Sequence, residues 1–295
     1  MNDTPPDYLT TKELAALLRL SERKVYDLAA NNEVPCTRVV GKLLFPRTEV
    51  LAWIAKNRSG PGIAVPPLPN IFAGSHDPLL DWALRESASG LAAFYDGSHD
   101  GLMRVAERQA IGCGLHIREG DGWNSGSVAM ALADAPVVLV EFAKRQRGLI
   151  VETENPRNIQ SISDIGDLRF ARRQDSAASY RMFTDLASEA GIEAESLKGP
   201  KQPMRTEGDV AAAIAEGKAD LGFGIAASAA QFRLGFVPLL TERYDLLVWR
   251  KEWFEPSFQA VLNFLRSDAF AARASELGGY DLCELGTVHF NGDAA

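Results

Sequence analysis

Two copies of one tetrapeptide carry the side chains best suited to gripping an anion. Gly74-Ser75-His76-Asp77 recurs 23 positions later as Gly97-Ser98-His99-Asp100. Each copy follows an apolar run and opens an amphipathic stretch, the pattern of a strand, a turn and a helix start. A helix N-terminus offers unpaired N–H groups and the positive end of the helix dipole, and a serine placed there adds a hydroxyl. A single copy reads as an ordinary Ser or Asp N-cap. Two copies in one setting predict shared ligand binding through Ser75, His76, Ser98 and His99.

Two further helix starts fit the same chemistry. Leu168-Arg-Phe-Ala-Arg172-Arg173-Gln-Asp-Ser176-Ala177-Ala-Ser179 predicts a strand, a Ser-bearing turn and a helix, and a second helix opening at Asp209-Val210 closes on Gly217 before the strand Ala219–Ile225. Ligands of open α/β sheets sit beyond the carboxyl ends of the strands, so four such N-termini gathered there would form a cage of hydroxyls and N–H groups. Arg172 and Arg173 add a pair able to clamp a carboxylate or phosphate bidentately; a solvated strand end explains them equally well.

The elements that must position these groups alternate. Short strands are expected at Gly112–Ile117, Ala135–Ala143 and Gly148–Glu152, and strand and helix alternation over residues 70–295 predicts a parallel or mixed sheet with helices on both faces. Before it, Asn57 to Asn70 holds four prolines and two glycines, a linker placed at 59–69.

Residues 1–58 read differently. Thr10-Thr-Lys-Glu13 fits a capping box ahead of Leu14, Leu17 and Leu18, and Ser21 caps a second helix after a turn of a few residues. Thr37–Phe45 reads as two strands around Gly41-Lys42, and Pro46 opens a third helix. The layout is a helix-turn-helix with a wing. Nine Lys and Arg against seven Asp and Glu give this part a net +2, so the remainder carries −10 of the chain's overall −8. The one relatively basic region is therefore the one with DNA-binding geometry.

These motifs resemble known families. Tyr8-Leu-Thr-Thr-Lys-Glu-Leu-Ala, Ser21-Glu-Arg-Lys-Val-Tyr, Gly41-Lys-Leu-Leu-Phe-Pro-Arg and Glu49-Val-Leu-Ala-Trp-Ile resemble the excisionase and MerR-like winged helix family. That resemblance implies a double-stranded DNA partner contacted through Thr11, Ser21, Arg23, Lys24, Tyr26, Arg38, Lys42 and Arg47, with the helix from Ser21 in the major groove. A +2 module binds feebly alone, so a homodimer or higher homo-oligomer is expected.

The Gly-Ser-His-Asp pair, Arg-Arg-Gln-Asp-Ser-Ala-Ala-Ser, the run from Glu207 to Ile225 and Glu242-Arg-Tyr-Asp-Leu resemble the periplasmic-binding-protein-like domain of bacterial regulators and are similar to molybdate receptors. The resemblance implies an α/β fold in which a small winged helix domain precedes a two-lobed type II periplasmic-binding-protein-like domain. It places the crossover segments near Glu141–Leu149 and Gly222–Pro238, and the ligand at Ser75, Ser98, the Ser176–Ala177 turn and the Asp209–Val210 helix start. One departure stands out: Gly224-Ile225-Ala226 occupies the place of the receptors' ligand-binding tyrosine.

The function expected is a one-component transcription regulator sensing an oxyanion, molybdate or tungstate first. The alternatives are a small organic anion or molybdopterin-like ligand in the same architecture, and a DNA-architectural or recombination accessory protein. No cofactor is implied. Cys113 and His116 would face opposite sides of a strand, so no metal site is expected. The chain has no Gly-x-Ser-x-Gly elbow, P-loop, HExxH or dinucleotide fingerprint, which argues against an enzyme. Three scattered cysteines, no apolar run near ~20 residues and no basic-then-apolar N-terminus predict a cytoplasmic protein without a membrane partner.

Overall fold

The computed structural model describes residues 7–57, 66–120 and 122–292. The chain divides into two compact units, Met1–Pro67 and Leu68–Ala295. Most of the Pro/Gly linker expected at 59–69 lies outside the described residues.

In the first unit β1 (Tyr8–Thr10) runs into α1 (Thr11–Leu18) through a complete capping box. The Thr10 hydroxyl accepts from Glu13 N, and the Glu13 carboxylate accepts from Thr10 N at 2.8 Å. Arg19 ends the helix in the left-handed region, and Ser21 then caps α2 (Glu22–Ala30) by accepting from Lys24 N. β2 (Thr37–Val39) and β3 (Lys42–Pro46) form the wing, β1 pairs with β3 to complete an antiparallel sheet, and α3 (Arg47–Lys56) follows. Leu14, Val25, Phe45 and Val50, all fully buried, anchor the core. Each contributes about 1.5–3 kcal/mol.

The second unit opens with β4 (Ile71–Gly74), α4 (Pro78–Glu86), β5 (Ala92–Tyr95), α5 (Ser98–Ala106) and β6 (Gly112–Leu115), with β4 paired parallel to both β5 and β6. A small ribbon, β7 (Arg118–Glu119) and β8 (Gly122–Trp123), precedes α6 (Ser125–Leu132). The chain then enters β9 (Val137–Val151), which leads to β10 (Phe170–Ala171), α7 (Ala178–Glu189), α8 (Glu207–Ala215), β11 (Leu221–Ile225) and α9 (Ala226–Gln231). It returns along β12 (Gly235–Trp249) and finishes with α10 (Arg250–Trp253), α11 (Pro256–Leu265), α12 (Asp268–Leu277), β13 (Tyr280–Asp281) and β14 (Val288–Asn291).

One mixed sheet, ordered β10-β11-β9-β12-β6-β4-β5, runs through both lobes of this unit. The first lobe packs around Phe72, Leu79, Phe142 and Phe258 on one sheet face and Cys113, Leu115 and Leu139 on the other. The second packs around Phe170, Phe183 and Phe223, with the Phe170 and Phe183 rings stacked at 4.3 Å.

The two strands expected at 135–143 and 148–152 are a single strand. β9 and β12 are each 15 residues long, roughly 50 Å, and pair antiparallel along their whole length. Lys144-Arg145-Gln146-Arg147 reads as an interruption in an apolar pattern, yet Arg145 and Arg147 are buried and paired, so the strand continues through them. The outgoing crossover falls within Glu141–Leu149 as expected. The return lies later than Gly222–Pro238: β11 belongs wholly to the second lobe, and the crossing stretch of β12 is Leu240–Tyr244, opposite Arg147–Ala143. Pro238 is tolerated because, among the described residues, β12 has a free edge there, its other neighbour β6 pairing only with Asp245–Val248.

Candidate functional site

Gly74 ends β4 at φ +108, and a Cβ there would fall 2.3 Å from the Gly114 carbonyl oxygen. Gly101, on α5, approaches just as closely, since its Cβ would lie 2.4 Å from the Gly74 Cα. Glycine at both places lets α5 pack on the turn after β4, and that contact joins the two tetrapeptides. The Ser75 and Ser98 hydroxyls lie 2.9 Å apart, both buried. Ser98 Oγ also accepts from His116 N at 3.1 Å, and the Tyr244 hydroxyl donates to the Ser75 carbonyl at 2.5 Å.

The two copies are not equivalent around this pair. Asp77 caps α4, accepting from Leu80 N at 2.8 Å, so Ser75 sits in the preceding turn. Ser98 is instead the first residue of α5 after Gly97, and Asp100 turns outward to Arg104. One serine comes from a turn and the other from a helix start.

Across the cleft the second lobe presents the starts of α7 and α8. The cleft is lined by Ser75, His76, Tyr95, Gly97 and His116 from the first lobe and by Arg173, Ala177, Ala178, Ser179, Arg205, Thr206 and Glu207 from the second. First-turn N–H groups have no carbonyl partner within their own helix, so among the lining residues Ala178, Ser179 and Glu207 supply main-chain donors. Tyr95 Oη and His76 Nδ1 are buried without a hydrogen-bond partner among the described residues, and the two rings meet edge to face. Burial, reinforced by Asp81 and Asp77, pushes the Tyr95 phenol far above its ordinary range, so it is a neutral hydroxyl. At the mouth Arg205 reaches Asp96 at 3.5 Å.

The structure brings Ser75, His76, Ser98, Arg173, Ala177 and Ser179 to this cleft or its floor. His99 is half-buried and does not line the cleft itself; burial, with Arg181 of α7 nearby, lowers its basicity, and its Nδ1 is buried without a hydrogen-bond partner among the described residues. Arg172 does not line the cleft: it pairs with Asp175 and stacks over Tyr180. Ser176 is exposed in the turn ahead of α7. α8 begins at Glu207 rather than Asp209, because Thr206 caps it. Asp209 therefore bonds back to Thr206 N at 2.8 Å, and Val210 is a core residue whose N–H is bonded to the Thr206 carbonyl.

A buried ionic ladder underlies the cleft. Glu207 holds Arg147 at 2.8 Å; Arg147 holds Glu242 at 2.8 Å; Glu242 also meets Arg145 and, at 3.1 Å, His116 Nδ1; and Arg145 ends on Asp77 at 2.8 Å, where the Tyr280 hydroxyl donates too. Burial opposes ionisation of Glu207 and Glu242, but Arg147 and its neighbours outweigh it, holding Glu207 below and Glu242 well below the usual carboxylate range. Burial lowers His116 more than Glu242 raises it, which favours the neutral imidazole. Arg173 is also occupied, donating to the carbonyls of Met204 and Arg205 and lying 3.7 Å from Glu207. Two buried arginines and the part-buried Arg173 thus face three buried carboxylates. Apart from Arg205 at the mouth, the groups left free to meet a ligand are chiefly neutral donors.

Sequence reasoning missed Tyr95, His116, Arg205, Thr206, Glu207 and the ladder. The available signal was Arg145 and Arg147, two apart on one strand face amid apolar residues.

In the first unit Thr11, Tyr26, Arg38 and Lys42 line one groove between the wing and the starts of α1 and α2, together with Lys12 and Glu22. Ser21, Arg23, Lys24 and Arg47 lie outside it, and Thr11 is buried. Arg23 and Lys24 are exposed on α2.

Residues 82–266 match the model of the PBP superfamily domain, and residues 8–58 match a helix-turn-helix domain. Uncharacterized protein YvgK of Bacillus subtilis (strain 168) is 25% identical over 308 residues, 98% of this chain and 99% of that protein. An uncharacterized protein in the 5′ region of a ferredoxin 2Fe-2S gene of Clostridium pasteurianum is 32% identical over 99 residues, 33% of this chain and 88% of that protein. Among solved structures, a Clostridium perfringens substrate-binding protein assigned to phosphate ABC transport, with bound phosphate, shares the fold. Its TM-score is 0.53 at 13% identity, covering 73% of this chain and 98% of that one. The chain belongs to the PBP superfamily domain family, joined at its N-terminal end to a helix-turn-helix domain.

Proposed function

We propose that this protein is a one-component transcription regulator. Its winged helix-turn-helix binds double-stranded DNA as a homodimer, and its two-lobed domain senses a small oxyanion, with molybdate or tungstate as the first expectation. The observation that carries this reading is the meeting of the Ser75 and Ser98 hydroxyls at 2.9 Å, facing the helix starts of α7 and α8.

The ladder of matched charges favours recognition by neutral donors over an arginine clamp. A set of hydroxyls and N–H groups suits a compact, fully ionised tetrahedral anion, whose charge is spread over four acceptor oxygens. The cleft is tight, with room for about one or two waters. An organic anion or a pterin therefore requires the lobes to part further than a simple oxyanion does. The fold relative from Clostridium perfringens holds a phosphate, an anion of the same shape.

A ligand moves DNA affinity only by its differential affinity for two states of the protein. The test is the affinity of the full chain for its own promoter region with and without molybdate, tungstate and sulfate. The reading requires an oxyanion-dependent change; DNA bending or binding indifferent to every ligand of the cleft would favour an architectural protein instead.

A further inference from the structure

The geometry points to a divalent metal site formed by Glu141, Asp245 and His289, on the sheet face turned toward the Cys113 and Leu139 core. One donor atom from each lies within 4.8 Å of the others. Glu141 on β9 is directly opposite Asp245 on β12, and β14 borders β9 on its other side. Pairing is irregular on both sides of β9 at this level: Phe142 of β9 is the extra residue opposite the Tyr244–Asp245 step of β12, and His289 is the extra residue between Val288 and Phe290 of β14. Such bulges re-aim side chains, and here His289 is turned onto the face that Glu141 and Asp245 share.

A second observation comes from Glu141 itself. The residue is 1% exposed, and its Oε1 is buried with no hydrogen-bond partner among the described residues. Its other oxygen, Oε2, takes His289 Nε2 at 2.8 Å. An unpaired oxygen of a buried carboxylate is costly, and a cation removes that cost.

The surrounding charges allow it. Arg243 holds Asp245 at 3.0 Å and Lys144 holds Glu284 at 3.0 Å, with Glu284 near Glu141. Three carboxylates thus stand against two cations around His289. One nitrogen and two oxygen donors, without thiolate, suit a first-row ion such as Zn²⁺ or Mn²⁺ better than Ca²⁺ or Cu(I). Three protein ligands leave a position for water. Glu141 and His289 are 148 positions apart, so no local spacing motif reveals the set. The ion would fasten the C-terminal strand to both crossing strands.

The experiment uses the full chain, stripped with chelator and titrated with Zn²⁺, and with Co²⁺ as an absorbing substitute. The site predicts one equivalent of metal, cobalt d–d bands without thiolate charge-transfer absorption, and a melting temperature that rises with metal. His289→Gln, at a part-exposed side chain, keeps the fold and lowers affinity at least about tenfold, since altering an outer partner alone costs about 10–100-fold. The proposal is overturned by failure to bind either metal, by a thiolate band implicating the cysteines, or by unchanged affinity in His289→Gln.

Discussion

Arg147 on β9 and Glu242 on β12 form a fully buried ion pair at 2.8 Å where the two long strands cross between lobes. Glu242 is also the meeting point of Arg145 and His116, so one carboxylate is shared by two buried guanidinium groups. Breaking a buried pair by removing one partner leaves an uncompensated charge, which costs about 3–5 kcal/mol. Glu242→Gln is expected to lose stability of that order in urea or guanidinium unfolding of the full chain. A loss below about 1 kcal/mol would mean that water, not Glu242, solvates the arginines.

The same ladder sets the pH response. The folded-state values of Glu207 and Glu242 lie below their ordinary 4.5, and that of His116 lies below its ordinary 6.5. In each case the unfolded chain binds protons more readily, so stability is full above these ordinary values and falls as pH drops through them. Unfolding free energy should therefore decline on acidification from pH 6.5, and more steeply below 4.5. Stability that stays flat or rises over that range would contradict the assignment of a neutral His116 beside ionised carboxylates.

The serine pair separates ligand binding from folding. The Ser75 hydroxyl has only Ser98 as its hydrogen-bond partner among the described residues, whereas Ser98 also satisfies His116 N. Ser75→Ala should barely change ligand-free stability, while Ser98→Ala costs about 1–3 kcal/mol by leaving a buried N–H unpaired. Both should weaken oxyanion binding, as should Tyr95→Phe. Arg172→Ala should leave it unchanged, because Arg172 does not reach the cleft; loss of binding there would revive the arginine-clamped organic anion.

On the DNA side, Arg38 and Lys42 border the wing groove and are read as phosphate contacts. Replacing either with Ala should weaken binding about equally across sequences and reduce the slope of log affinity against log salt by about 1. A sequence-selective loss would move these residues from phosphate to base contact.

Much of this architecture is legible in the residues. The winged helix announces itself because caps and turns are local: Thr10 with Glu13, Ser21, and Gly41-Lys42 act within a few positions. The serine pair is legible because the chain repeats it. The ladder is not, because Arg147 finds Glu207 60 positions away and Glu242 95 away, and in sequence a charge run inside a strand resembles a solvated break. The start of α8 shifts for a related reason, since Thr206 and Asp209 form a capping box that consumes the Asp209 carboxylate. Where a hydrogen bond closes within one turn, sequence locates it; where the sheet supplies the partner, it does not.

The most direct test of the account is thermal unfolding of the full chain with molybdate, tungstate, sulfate, phosphate and a panel of organic anions, beside the Ser75→Ala variant. A ligand at one hundred times its dissociation constant adds ~2.7 kcal/mol, enough to raise the melting temperature by several degrees. The account predicts such a rise with molybdate or tungstate in the native chain and its loss in Ser75→Ala. No response to any inorganic oxyanion, or an equal response in the variant, would contradict it.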